Sequence, residues 1–357
     1  MVFYWFFAGI VLVLGGVSEF AKDKLLKHVV IFSIFFIMFI FSAFRVNIGI
    51  DYDGHYALYK VVNSFKSSTV FSEPIFCFVC ILCRFIGIGF YGAIFIFSIL
   101  TLYPIYYISK NEKTAIPLVF YYFLTYLISY ALIRQMCGVS LSLLGTYIYN
   151  NQGKKKTGIF YLVVAGCVHS SLFFYLFIFL LGNLIKFNIK KTVIISLLTI
   201  FTMNYIDLIS LLGKILSNTK YGYYFLVANG NFSNTKVNSG IGVITRFVIY
   251  FIELYFLNTA KQKNNYKFNL CFIIMIICDL LSLRILIFLR LRYVFLGLSF
   301  YPFIYKNNFI RNRNNIYKLS TWLFLFICLF YILTFPATAE WGNIPYQSVF
   351  FTPLKEV

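Results

Sequence analysis

Residues 28–56 read HVVIFSIFFIMFIFSAFRVNIGIDYDGHY, an uncharged apolar run that ends abruptly on a cation and a loop holding two carboxylates. Wound as an α-helix, His28 to Phe44 nearly covers the roughly 30 Å hydrocarbon core of a bilayer. The run predicts a transmembrane helix, and Arg45 marks where the chain leaves the apolar phase. Similar runs recur from Val2–Val17 through Phe90–Ser109, Thr114–Leu132, Met136–Tyr149, Thr157–Gly182, Thr192–Ser210, Ile241–Asn258, Phe268–Ile285 and Leu291–Tyr305 to Leu319–Pro336.

Composition agrees. Over 357 residues, 61% are hydrophobic and 12% charged, with a mean hydropathy of +0.83, far outside the range of soluble domains. The chain reads as an all-α, polytopic integral membrane bundle of about 10–12 passages, some of them re-entrant or broken. A soluble enzyme, a disordered chain and a secreted disulfide scaffold are excluded. The balance of 31 Lys+Arg against 11 Asp+Glu would suggest nucleic acid in a soluble protein. Here membrane lipid is the expected partner, and nucleic acid is not.

The eight cysteines lie inside apolar runs, where a thiol packs as a small hydrophobe. Cys77, Cys80 and Cys83 recur every third residue and predict one helix face, with no metal-ligand spacing beside them. Met1 to Val17 lacks the basic leader and cleavage site of a signal peptide, so it is read as a retained first span.

Orientation follows from the basic residues. Lysine clusters at 22–27, 110–113, 154–156, 186–191 and 261–267, with a mixed one at 306–318, share the cytoplasmic face on one condition. Ile75–Gly87 must not cross, and Thr157–Gly182 must go in and come back, bent at His169. No linker or repeat divides the chain, so residues 1–357 are expected to form a single membrane domain with outer loops at 45–74 and 211–240.

Nine arginines then separate from twenty-two lysines. Only Arg311 and Arg313 lie on the inner face. Arg45, Arg84, Arg134, Arg246, Arg284, Arg290 and Arg292 sit at outer ends of spans, where an ionised side chain is costly: about 2.5–3.5 kcal/mol at the membrane centre, less near the interface. A guanidinium presents a planar fork that grips phosphate bidentately. An outward cavity lined by several would suit a lipid-linked pyrophosphate. The plainer reading pairs some of them with Asp51, Asp53, Glu73, Asp279 or Glu253, or lets them snorkel.

Four polar constellations stand out. The first is Arg45, Gly49, Asp51, Tyr52, Asp53 and His55; the second is Arg134 with Gln135; the third is His169 with Ser170 and Ser171; the fourth is Arg284, Arg290, Arg292 and Tyr293, followed at the end of the chain by Ile344, Pro345 and Tyr346. A separate outer stretch around Tyr221, Tyr223, Tyr224 and Phe225 has the aromatic character that stacks on sugar faces.

In this order and at these separations the motifs resemble the EpsG family, a branch of the Wzy-type polymerases of O-antigen, capsule and exopolysaccharide. The pattern falls on Arg45, Gly49, Asp51 and Tyr52, on Arg134 and Gln135, on His169, and on Arg290 or Arg292. Ile50 departs from it, standing where many relatives have a small hydroxyl residue before the Asp. The resemblance implies a multi-pass protein of the bacterial cytoplasmic membrane. It would move a glycan from undecaprenyl pyrophosphate onto a lipid-linked repeat unit at the outer face, beside a chain-length regulator and a flippase. In that chemistry Arg45, Arg134, Arg284, Arg290 and Arg292 would neutralise pyrophosphate, and Asp51 or His169 would take the acceptor proton. Gly49, Tyr52, Gln135 and Tyr293 would line the substrate site. No cofactor or metal is expected.

Two rivals use the same residues. Asp51-Tyr52-Asp53 also reads as a D-x-D that would hold a divalent cation in a GT-C-type glycosyltransferase. A flippase or ligase of lipid-linked oligosaccharide would also want outward arginines.

The topology is open to test by single-cysteine labelling in intact cells. A cysteine at Asn231 should react with an impermeant reagent and one at Lys155 should not; the opposite pattern would invert the orientation.

Overall fold

The computed structural model describes residues 2–62, 73–182, 189–205, 211, 214, 266–283, 287–300 and 346–350. Twelve helices, a short 3-10 helix at Leu296–Phe300 and one isolated bridge, Arg45 to Ser348, make up the regular structure of these residues. The expectation of an all-α membrane bundle holds. Three helices are long and apolar enough to cross a bilayer by length and composition: α1 (Val2–Phe20), α2 (Lys24–Ala43) and α5 (Gly89–Glu112). Shorter helices are α3 (Tyr52–Val61), α4 (Pro74–Ile86), α6 (Ile116–Ala131), α7 (Ile133–Asn150), α8 (Lys155–Val168), α9 (Leu172–Leu181), α10 (Ile189–Tyr205), α11 (Tyr266–Leu281) and α12 (Ile287–Phe295). The expected spans at 241–258 and 319–336 and most of the loop at 211–240 lie outside the described residues, as do Arg246, Arg284, Ile344 and Pro345.

The chain divides into two compact units, one of 1–176 with 300–357 and one of 177–299. In the first, α2, α6 and α7 pack around α5, α1 lies on α2, and α8 lies along α7. In the second, α11 packs between α10 and α12. Local signals explain the helix ends. Asp23 caps α2, its carboxylate accepting from the Leu25 and Leu26 amides at 3.1 and 3.2 Å. Pro74 and Pro117 open α4 and α6, where a missing N–H costs nothing.

The outward faces of α1 and α2 are apolar. Phe6, Val13, Phe20, Leu25, Phe32 and Phe36 are all exposed, as lipid-facing side chains should be. Hydroxyls are instead turned inward: Ser42, Ser98, Thr101, Thr125, Ser140 and Thr146 are buried, and Ser42 bonds Ser98 and Thr146 bonds Tyr175 from one helix to another, as polar residues do when they tie membrane helices together. Cys77, Cys80 and Cys83 form one buried face of α4 and are free thiols, so packing accounts for them.

Two helix breaks shape the first unit. The span Ile116–Ala131 passes through a π-helical segment at Tyr122–Tyr126, then ends at Leu132, whose backbone (φ −107°, ψ 57°) leaves the helical region before α7 begins. The second break is His169, extended at φ −148° and ψ 121°. Beyond it the chain turns back along α7. Leu172 lies against Gly138, while Tyr175 Oη reaches Thr146 Oγ1 at 2.7 Å, two turns further along α7. The expected bend at His169 is therefore present.

The α7–α8 contact depends on glycine. A Cβ at Gly145 would sit 2.8 Å from the Gly158 carbonyl oxygen, so the backbones touch where a side chain cannot fit. Gly145→Leu should cost roughly 1–3 kcal/mol by overpacking and lower the melting temperature in detergent. Gly9→Leu, at a site with nothing within 4 Å, should stay within about 0.5 kcal/mol of the parent. Equal melting of the two variants would remove this contact from the account.

Candidate functional site

Where α2 ends, Arg45 turns inward and is the largest fully buried side chain among the described residues, 2% exposed. Its Nη1 donates to the Ser42 carbonyl, to Ser42 Oγ at 3.0 Å and to Ser98 Oγ at 3.3 Å. Its Cζ lies 4.7 Å from the centroid of the Tyr130 ring, close enough for cation–π attraction. Tyr126, Tyr130, Tyr346 and Tyr52 are its electrostatic neighbours. Among the described residues no carboxylate pairs with it, and its buried Nε has no hydrogen-bond partner. Burying a charge costs several kcal/mol even after relaxation, and ring faces and neutral hydroxyls return only part of that. The result is a cationic centre one anion short.

The loop after Arg45 is held from both sides. Val46 N donates to the Gln347 carbonyl at 3.1 Å and Val349 N to the Phe44 carbonyl at 3.0 Å. Tyr346 stacks on Phe3 and donates to the Phe41 carbonyl at 2.9 Å. Gly49 has φ +103°, and a Cβ there would lie 2.4 Å from the Tyr130 carbonyl oxygen. Only glycine both adopts this backbone and lets the loop press on the end of α6, beside the Leu132 break.

Asp51 then stands at the N-cap position of α3 without capping it, half-buried, while Asp53 is exposed. Tyr52 is buried edge-on against Phe90, and Ile50 is exposed. Among the described residues no three His, Cys, Asp or Glu side chains converge in a way that could hold a metal.

His55, one turn into α3, is 5% exposed with neither ring nitrogen hydrogen-bonded at ordinary distance. Burial, followed by the nearby positive charge of Arg134, pushes its pKa down to about 3 against the raising effect of the Ala131 carbonyl, and Arg45 and His169 add smaller downward effects. It is a neutral imidazole among cations. It also shows that Arg45, Arg134 and His169, far apart in sequence, come within electrostatic reach of one point.

Arg134 lies in the first turn of α7, where the helix dipole disfavours a cation. Glu73 compensates. It forms an ion pair with Arg134 Nη1, and its other oxygen lies 3.5 Å from His169 Nε2. Glu73 is 8% exposed and precedes Pro74 without capping α4; its carboxylate is turned to α7 and to the α8–α9 break instead. Arg134 stacks over Phe76 at 4.9 Å, and its Nε is buried with no hydrogen-bond partner. On its other edge His169 uses Nδ1, 2.8 Å from Ser171 Oγ and 3.4 Å from the Ser171 amide, which donates to it. Gln135 is buried beside this cluster in sequence.

The remaining arginines differ. Arg84 donates to the Val62 and Tyr59 carbonyls at 2.8 and 2.6 Å, closing the C-terminal end of α3 as a structural clasp. In the second unit Arg292 pairs with Asp279 at 2.9 Å and lies near the buried Tyr293, while Arg290 is exposed. The pairing with Glu73 and Asp279 weighed from sequence is thus present, yet Arg45 stands outside it.

In the sequence His55 is one more polar residue of the first constellation, without a role of its own, and Glu73 is one of several carboxylates that could pair with an arginine. Neither carries a local signal: His55 follows a motif already crowded with polar residues, and Glu73 is a lone carboxylate before a proline. Ser42 and Ser98, which brace Arg45, read in sequence as ordinary span residues.

Residues 28–348 match the EpsG family. No curated protein and no solved structure matches the chain.

Proposed function

This chain belongs to the EpsG family, and its role is in polysaccharide biosynthesis; on that premise we propose that it is a polymerase acting on lipid-linked glycan at the outer face of the cytoplasmic membrane. The donor is a glycan on undecaprenyl pyrophosphate. The acceptor hydroxyl of a second lipid-linked repeat unit attacks the anomeric carbon, a new glycosidic C–O bond forms, and the bond to pyrophosphate breaks. The bonding electrons leave with undecaprenyl pyrophosphate, and the hydroxyl proton passes to a protein base.

The observation that carries this reading is a concentration of unmet donors. Arg45 Nε and Arg134 Nε are buried without hydrogen-bond partners, and both guanidinium charges act on one buried point, the His55 imidazole. Buried polar atoms left unpaired call for a partner such as an ion, a water or a ligand. Two guanidinium groups beside one buried carboxylate favour an anion, and a pyrophosphate matches their planar forks. Preorganised cations at low dielectric stabilise a leaving group whose charge grows in the transition state.

His169 is the better-placed base. The Ser171 hydroxyl at 2.8 Å from Nδ1 occupies the distance an acceptor sugar hydroxyl would take. Asp51, at the loop turn, would contact sugar. Chain-length regulator and flippase are the expected partners of such an enzyme in the membrane.

Deletion of the gene followed by electrophoresis of surface glycan tests the class of activity. The ladder should vanish while a single repeat unit persists; loss of all surface glycan would point to a flippase or ligase. Within the site, Arg45→Lys keeps the charge but not the fork. It should lower turnover on the order of tenfold or more at normal protein level, and a full ladder from the folded variant would remove Arg45 from pyrophosphate binding.

A further inference from the structure

Glu73 is the feature that neither the family pattern nor the donor site absorbs. It lies on no expected span, yet its one carboxylate reaches Arg134 with one oxygen and His169 with the other. These two residues enter from different elements: Arg134 from the first turn of α7, His169 from the α8–α9 break. We propose that Glu73 is a positioning residue of the polymerase reaction, holding Arg134 until donor pyrophosphate replaces it as the counter-ion and holding His169 in the tautomer that accepts a proton at Nδ1. The inference rests on the polymerase reading above.

The tautomer follows from the partners. The Ser171 amide can only donate, so Nδ1 must offer it a lone pair. Nε2 then carries the hydrogen, facing Glu73 Oε1 at 3.5 Å. A carboxylate on one ring nitrogen and a hydroxyl on the other is the arrangement in which a carboxylate orients an imidazole and stabilises the imidazolium formed when the far nitrogen takes a proton. In the resting site the far hydroxyl belongs to Ser171. An acceptor sugar hydroxyl would take its place.

Counter-ion exchange follows from charge. Arg134 already has an anion, so donor pyrophosphate must compete with Glu73 for it, whereas Arg45 has none among the described residues. Donor therefore meets Arg45 at no such cost and Arg134 against competition. Removing the charge on Glu73 should ease binding of the anion and impair the chemical step, two opposite effects from one substitution. A residue needed only for folding would lower both with the amount of folded protein.

The test uses the full-length protein in nanodiscs, with undecaprenyl pyrophosphate as the binding probe and lipid-linked repeat units for turnover. Glu73→Gln should bind the probe several-fold more tightly and turn over at least tenfold more slowly per folded molecule. Unchanged or weaker binding by a folded Glu73→Gln, or unchanged turnover, overturns the inference. If that variant does not accumulate, Glu73→Asp decides. The shorter carboxylate should keep one partner and lose the other, leaving probe affinity close to the parent while turnover falls several-fold; parent-like turnover overturns the inference. Failure of the parent protein itself to bind undecaprenyl pyrophosphate would instead sink the polymerase reading.

Discussion

A guanidinium buried without a carboxylate is the constraint around which the described part of this protein is arranged. Arg45 could reach lipid headgroups by snorkelling, as long cationic side chains at span ends do, yet it folds inward over Tyr130 and onto Ser42 and Ser98. Holding it there requires hydroxyls on α2 and α5, a tyrosine near the end of α6, and a loop tied to residues 346–350 by backbone hydrogen bonds. The two serines and the loop amides are hydrogen-bonded; the Arg45 Nε and the Tyr130 hydroxyl are not. Charge retained at such a cost is expected where an anionic substrate completes it.

Broken helices supply the rest. In a bilayer, backbone may leave the helical path only where protein or a polar cavity satisfies the freed groups. Both breaks in the first unit meet that condition. At Leu132 the loop glycine Gly49 packs on the buried C-terminal end of α6, and α7 restarts with Arg134 in its first turn. At His169 the imidazole and the Ser171 amide satisfy each other locally. Glu73 then joins the two breaks through one carboxylate. The site is thus built from residues 45, 55, 73, 134 and 169 on separate elements, with rigid helices behind each.

Much of this could be read before any coordinates. Uncharged runs placed α2, α5 and α7 to within a few residues, because an apolar segment flanked by charge has one stable fate in a membrane. The bend at His169 was legible from a polar His-Ser-Ser interruption and from the side on which lysines had to fall. The positions of Arg45, Arg134 and His169 were legible as motifs. Their division of labour was not: Arg84 closes α3 through backbone carbonyls, Arg292 pairs with Asp279, and Arg45 alone among these is buried without a carboxylate, distinctions that depend on which elements touch. Glu73 and His55 were illegible for the same reason. A single carboxylate before a proline, or a histidine in a polar loop, gains meaning only from partners far along the chain.

The most direct measurement is an experimental structure of the protein with undecaprenyl pyrophosphate bound. The account places the two phosphates between Arg45 and Arg134, within hydrogen-bond distance of their Nε atoms, with Glu73 released from Arg134. Phosphates bound elsewhere, with Arg45 still enclosed by tyrosines and serines and Arg134 still paired to Glu73, would contradict it.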